Sequence, residues 1–325
     1  MDYQLFHKYK LTISKPPTII KTPVTVTSSE GKSDIIQGAS DNRSVDPLKA
    51  IEITELQMSA SITASKEGSG SQTSIKVLGL GDESLAYIQA DSIVLLEGGW
   101  EGDKKLPLLF AGQVVTANVD TESNTSSVVI ACKEGYTPAS MKISKEYPAG
   151  VNYKEILDDL ASIYADNGVP VGRSLSELET LQGVGVDSPA DQIIAADGYS
   201  VSGFLDTVLT KVCKEVGFTY YFSSSKLYIE PKNYSQTVDS LAFPASSVLS
   251  AKKVINNTNT TSKDEQDPKQ GWKVKVFLDG RLEVGGFIEL DVPNTISGSF
   301  KIIKITHELD YEGDVWFSTM ELQDV

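Results

Sequence analysis

Apolar and polar positions alternate with period two in short runs along the first third of the chain, over residues 9–14, 51–64, 73–78, 92–96, 108–118 and 126–132. That period sends successive side chains to opposite faces, so each run reads as a half-buried strand. The turn signals at 67–70, 79–82 and 98–103 separate them. Strands this short and this regularly punctuated predict an antiparallel barrel or sandwich. A further run at 18–26 follows Pro16 and Pro17, which mark an edge or a bend. Residues 27–46 are small and polar and predict a long loop or arm.

From about residue 136 the period changes to that of a helix. Asn152-Tyr153-Lys154-Glu155 is a capping-box pattern, with Val151 placed to staple onto Ile156. The predicted helix sets Tyr153, Ile156, Leu157, Leu160, Ile163 and Tyr164 on one face and stops at Asn167-Gly168. A second helix is predicted over 202–216, with Phe204, Leu205, Val208, Leu209, Val212 and Val216 on its buried stripe and Gly217 closing it. It runs into a hairpin, 218–222 and 226–230. After Leu241 the pattern is β again, with a polar stretch over 256–270 predicted as a mobile loop. A last hairpin alternates Ile302, Lys304 and Thr306 against Ile303, Ile305 and His307 and turns at Glu312-Gly313-Asp314.

The two β regions resemble each other. In each, a first strand (Ile93-Val-Leu-Leu; Ile288-Glu-Leu) is followed by a Phe-led strand (Phe110; Phe300) and a closing strand. The expected fold is mainly β with an α+β middle module: two small antiparallel tube-like β-barrels plus a helix-hairpin domain. The expected divisions are 1–135, 136–240 and 241–325.

At 325 residues, 40% hydrophobic and 22% charged, the chain is long enough for two or three cores and too apolar for disorder. The 44 acidic against 29 basic residues give a formal charge of −15. That balance argues against a surface that grips nucleic acid, while a wall of like sign lets DNA pass without sticking. No run of 18 apolar residues is present, so no membrane binding is expected. The start of the chain lacks the basic and apolar segments of a signal peptide, so assembly in the cytoplasm is expected. The Asn-x-Ser/Thr triplets at Asn42, Asn124, Asn233, Asn256 and Asn259 then reflect composition alone. Cys132 and Cys213 have no zinc or redox spacing and are expected to be buried thiols.

Catalytic patterns are sparse. There are two histidines, His7 beside a terminus expected to be disordered and His307 inside a strand, where it is expected to be a hydrogen-bonded barrel residue. There is no G-x-S-x-G elbow, and His307-Glu308 lacks the second His of a zinc protease motif. Asp158, Asp159, Glu177 and Glu179 lie in polar surroundings that do not raise a carboxyl pKa for acid catalysis. Gly79-Leu-Gly81 and Gly183-Val-Gly185 are turns rather than phosphate loops. Asp310, Glu312 and Asp314 lack the twelve-residue calcium loop. No catalytic residue, metal or cofactor is expected.

Three stretches carry a resemblance. Asp91-Ser-Ile-Val-Leu-Leu-Glu-Gly-Gly99-Trp100 followed by Phe110-Ala-Gly112-Gln-Val114 is similar to a motif of bacteriophage baseplate hub proteins (late control protein D-like), with Trp100 in place of the usual Tyr and Ala90 in place of Gly. Tyr147-Pro-Ala-Gly resembles that family's approach to its first helix. The closing hairpin, with Phe300, His307, Gly313, Trp316 and Thr319, resembles its C-terminal end. The resemblance implies a structural homotrimer whose ring of pseudo-sixfold symmetry joins a hexameric tail tube to a trimeric spike. The ring would enclose the channel for tape measure protein and DNA in passage. Its implied partners are the tail tube protein, a separate spike protein, the tape measure protein and surrounding baseplate proteins. Its implied location is the virion tail baseplate.

Two other readings stay open. A carbohydrate-binding, adhesin-like module would use an aromatic platform, for which Tyr220, Tyr221, Phe222 and Tyr228 are the dense cluster, expected to split between core and surface. A peptidoglycan hydrolase would need the carboxylates above in a cleft.

Overall fold

The computed structural model describes residues 6–16, 50–66, 71–120, 126–173, 194–223, 225–231, 240–255 and 270–324. The predicted strand at 18–26, the arm at 27–46, the turn at 67–70, the Gly183-Val-Gly185 turn, nearly all of the 256–270 loop, Glu177, Glu179 and the five Asn-x-Ser/Thr asparagines lie outside these residues.

A first β lobe comprises β1 (His7–Ser14), β2 (Ala50–Ile53), β3 (Met58–Ser65), β4 (Gln72–Leu78), a short α1 (Asp82–Leu85), β5 (Ile93–Trp100), β6 (Leu108–Asp120) and β7 (Ser127–Lys133). The alternation is direct in β4, where Thr73, Ile75 and Val77 are buried and Gln72, Ser74 and Lys76 are exposed. The 98–103 turn signal begins too early. Gly98, Gly99 and Trp100 stay in β5, paired with Tyr9, Lys8 and His7 of β1, and a Cβ at Gly98 would meet the Leu109 and Leu309 side chains at 2.8 and 3.0 Å. These glycines serve close packing there.

The middle module holds α2 (Tyr136–Ala139), β8 (Lys142–Tyr147), β9 (Val151–Asn152), α3 (Tyr153–Asp166), β10 (Val171–Arg173), β11 (Ile194–Ala195), β12 (Tyr199–Phe204), α4 (Leu205–Glu215), β13 (Phe218–Ser223) and β14 (Lys226–Pro231). Asn152 caps α3 by accepting from the Glu155 amide at 2.8 Å, and its own side-chain amide donates to Glu155 at 3.2 Å. Ile156, Leu157, Leu160 and Tyr164 are buried as the periodicity predicts. The second helix starts later than expected. Residues 202–204 finish β12, paired with β8, and Phe204 is 47% exposed under the Lys142 ammonium rather than in the core. Gly217 closes the helix at φ +73°, a conformation that disfavours a side chain.

The second β lobe contains β15 (Ser240–Phe243), β16 (Val248–Ile255), β17 (Gln270–Phe277), β18 (Phe287–Val292), β19 (Ile296–Asp310) and β20 (Trp316–Asp324). The fold is mainly β, as expected. Its strands form one path, β16-β17-β20-β19-β3-β4-β7-β6-β5-β1-β2, with β18 and β15 branching from β19. Among the described residues neither lobe closes into a barrel. The long β19 explains this: residues 296–301 pair with β18, residues 304–310 pair with β3, and β20 lies along its other edge.

A bulge at Ile303 corrects the alternation expected for the last hairpin. One extra residue shifts the phase. Ile302 therefore shares the buried face with Ile305, His307 and Leu309, while Lys304 and Thr306 point outward.

Among the described residues three cores form, and two of them borrow. The first-lobe core around Leu11, Ile75, Leu96 and Ile130 takes in Leu278, Leu309 and Trp316 from the end of the chain. The middle core gathers the buried faces of α3 and α4. The second-lobe core around Val274, Ile288, Met320 and Leu322 takes in Tyr221. Strand β13 thus buries both faces, Tyr220 and Phe222 toward the helices and Tyr221 toward the second lobe. No described helix is long and apolar enough to cross a membrane.

Candidate functional site

The two groups of motif residues meet where the β lobes join. Trp316 donates from Nε1 to the Gly99 carbonyl at 3.1 Å, and Trp100 donates from Nε1 to the Leu278 carbonyl at 3.1 Å. His7 stacks on Trp316 with centroids 4.5 Å apart and meets Trp100 edge-on at 5.6 Å. His7 thus opens strand β1. Each indole here has both a packed ring and a satisfied N–H, the condition for burying Trp without loss.

The other motif residues take separate places. Asp91 sits at φ +65° and donates its N–H to Val114 at 2.9 Å, fixing the start of β5 against β6. Gly112 packs under Phe110, and a Cβ there would lie 2.7 Å from the Lys133 carbonyl oxygen. Phe300 belongs to the second-lobe core, remote from the indoles. Gly313 donates to Asp310 in the last turn, which ties up a carboxylate of the candidate calcium run. Thr319 faces outward opposite Thr306.

A second junction joins all three parts of the molecule. Glu230 of β14 accepts from Lys66, just past β3, at 2.6 Å, from Lys301 of β19 at 3.0 Å and from the Tyr221 hydroxyl at 3.2 Å. All three charged side chains are buried. Burial, with Lys66 acting in the same sense and Glu230 opposing, pulls the Lys301 pKa down to about 8. Sequence reasoning passed over these residues. The available signal was a charge at an inward strand position, in Phe300-Lys301-Ile302 and Ile229-Glu230-Pro231.

Elsewhere the titratable groups singled out in the sequence are buried or paired within the fold. His307 is buried with Nδ1 at 2.8 Å from Ser318 Oγ, and burial lowers its pKa to about 4 against the pull of Asp279. Ser318 is itself fully buried, so this Ser–His pair reaches no substrate. Burial pushes the Asp159 carboxyl up, but hydrogen bonds from Lys145 at 2.7 Å and Tyr147 at 2.7 Å outweigh it and hold the group below the usual range. Asp279 is held low in the same way by Arg281. A general acid needs the opposite shift. Cys132 and Cys213 are buried, and burial pushes both thiols up to about 12. Among the described residues no cluster of His, Cys, Asp and Glu fits a metal. A surface groove of about 580 Å³ beside β1 and β2 is lined by Thr12, Glu52, Leu95, Lys105 and the ion pair Lys10–Glu97.

The aromatic cluster departs from the split expected of it. Tyr220, Tyr221 and Phe222 are all buried, and Tyr228 stacks on Tyr221 at 5.3 Å. A sugar-binding platform needs exposed ring faces, which these lack.

No protein-family model and no curated protein matches the sequence. Solved structures do match in fold. A tail protein from Neisseria meningitidis superposes with a TM-score of 0.54 at 8% identity, covering 84% of this chain and 94% of that one. The 43 kDa tail protein of prophage MuSo2 from Shewanella oneidensis gives 0.53 at 10% identity, over 84% and 94%. An E. coli type VI secretion system component, described as similar to T4 bacteriophage tail proteins, gives 0.52 at 10% identity, over 83% and 73%. The chain shares its fold with these phage and prophage tail proteins and the type VI secretion component.

Proposed function

We propose that this protein is the structural hub of a phage or phage-like tail baseplate and catalyses nothing. The observation that carries the reading is the pair of β lobes fused through β3 and β19 into one sheet, in a chain with the fold of tail proteins. Two such lobes per chain let three copies present six similar units, the geometry that matches a threefold spike to a sixfold tube. In this role residues 1–135 and 241–325 supply the tube-like domains and 136–240 an outer module. The motif residues Asp91, Gly99, Trp100, Phe110, Gly112, Val114, Phe300, His307, Gly313, Trp316 and Thr319 act structurally. The homotrimer contacts tail tube, spike and neighbouring baseplate proteins in the virion and encloses the path of tape measure protein and DNA.

The test is light scattering on the purified protein, alone and mixed with the tube and spike proteins encoded beside it. A trimer, formed alone or only with those partners, is expected. A monomer indifferent to both overturns the reading.

A further inference from the structure

The outward face of the shared sheet runs unbroken across both lobes, and its charge is opposite to that of the chain. One cross-strand row reads Ser250, Lys275, Thr319, Thr306, Thr63, Gln72, Lys133 and Gln113, one residue from each of β16, β17, β20, β19, β3, β4, β7 and β6. At the strand spacing of a sheet the row is ~34 Å long. Thr63 and Thr306 share a hydrogen bond of 3.3 Å across the lobe boundary, so their hydroxyls lie on one surface. Flanking rows add Lys252, Lys273 and Lys304 on one side and Lys76 on the other, with Ser59, Ser61, Ser74 and Thr116 between. Over the described residues of these eight strands the face carries six lysines against Glu308, Asp310, Glu321 and, at a far corner, Asp120. The whole chain has a formal charge of −15.

We propose that this face contacts the phosphate backbone of double-stranded nucleic acid. Three features select that partner. Lysine ammonium and Ser, Thr and Gln groups all donate hydrogen bonds, which suits phosphate oxygens and reads no sequence. Among the described residues of the eight strands, the large apolar side chains in phase with this face, Leu78, Val129, Val254, Phe277 and Phe317, lie off its central row, which meets an apolar residue only where it passes on to Ile93 of β5, so the face lacks the apolar centre of a protein interface. It also lacks the spaced aromatic rings on which unpaired bases stack. Its ~34 Å span is about one turn of duplex. The contact is weak and mobile, because six lysines are spread thinly and Lys304 is shared with Glu321 at 3.7 Å. The assignment deepens the hub reading and depends on it only for the setting, a DNA path.

The experiment is fluorescence anisotropy of a labelled 30-base-pair duplex with the full chain, from low to physiological salt. Sequence-independent binding that weakens with salt is expected. The variant Lys252→Gln/Lys273→Gln/Lys275→Gln should bind at least about tenfold more weakly at low salt, with a salt slope reduced by about one per lysine. A second variant, Lys76→Gln/Lys133→Gln, should act in the same direction, and the equally discharged Lys104→Gln/Lys105→Gln, between β5 and β6 and outside these eight strands, should not. Absence of duplex binding, equal loss in the control, or equal affinity for polyglutamate overturns the assignment. A trimer that fails to bind duplex sinks this inference alone, whereas a monomer that binds it sinks the hub reading instead.

Discussion

His307 illustrates how a single residue of the last hairpin couples stability to pH. It is buried and neutral beside Ser318, and its pKa of about 4 lies below the ordinary 6.5. Between these values the unfolded chain binds a proton that the folded chain refuses. Stability from this group is complete above pH 6.5 and is lost as the pH falls toward 4, by up to about 3 kcal/mol. Urea unfolding measured between pH 4.5 and 7 should show this slope in the natural protein and a shallower one in His307→Gln. Equal slopes would mean that other groups set the acid sensitivity. The sequence placed His307 correctly inside a strand, but only its burial in the folded sheet gives the shift, against the opposing pull of Asp279.

At the scale of elements, the β19–β20 hairpin does two jobs that its sequence shows as one. Its base closes the second-lobe core with Met320 and Leu322, and its tip delivers Leu309 and Trp316 to the first. Replacing Trp316 with Ala removes a buried ring and its bond to Gly99, a loss of about 3–5 kcal/mol. Trp316→Phe keeps most of the ring and should cost only about 1 kcal/mol. Denaturant titration decides between them; near-equal costs would show that the hydrogen bond outweighs the packing. The strand and turn of this hairpin were legible from period and glycine. The bulge at Ile303 was not, since an inserted residue leaves no mark until a partner strand sets the register. The late start of α4 has a similar origin: Phe204 has an apolar helix-compatible side chain, but pairing with β8 claims its backbone first.

For the whole molecule, the shared carboxylate of Glu230 ties the middle module to both β lobes. Removing it strips two buried ammonium groups of the same partner, so Glu230→Gln should destabilise by about 3–5 kcal/mol. The matched apolar variant Lys66→Met/Glu230→Leu/Lys301→Met should recover most of that loss. Hydrogen exchange in Glu230→Gln should show faster exchange in β13 and β14 than in β4, β7 or β6. Uniform acceleration would indicate that the three parts unfold as one and that the junction is not a local tie.

The linear pattern by itself determined the β–αβ–β order, most strand positions, the capping of α3, the C-terminal turn of α4 and the burial of both cysteines. Each of these follows from local periodicity or from one residue's backbone preference, which a sequence displays directly. Tertiary structure alone decided that the two β regions share one sheet, that Gly99 and Trp316 meet across 217 positions, that Tyr221 serves a different core from its neighbours, and that Lys66, Glu230 and Lys301 share one buried site. Those pairings depend on strand register and on which faces are desolvated together, and both are properties of segments brought into contact from distant parts of the chain.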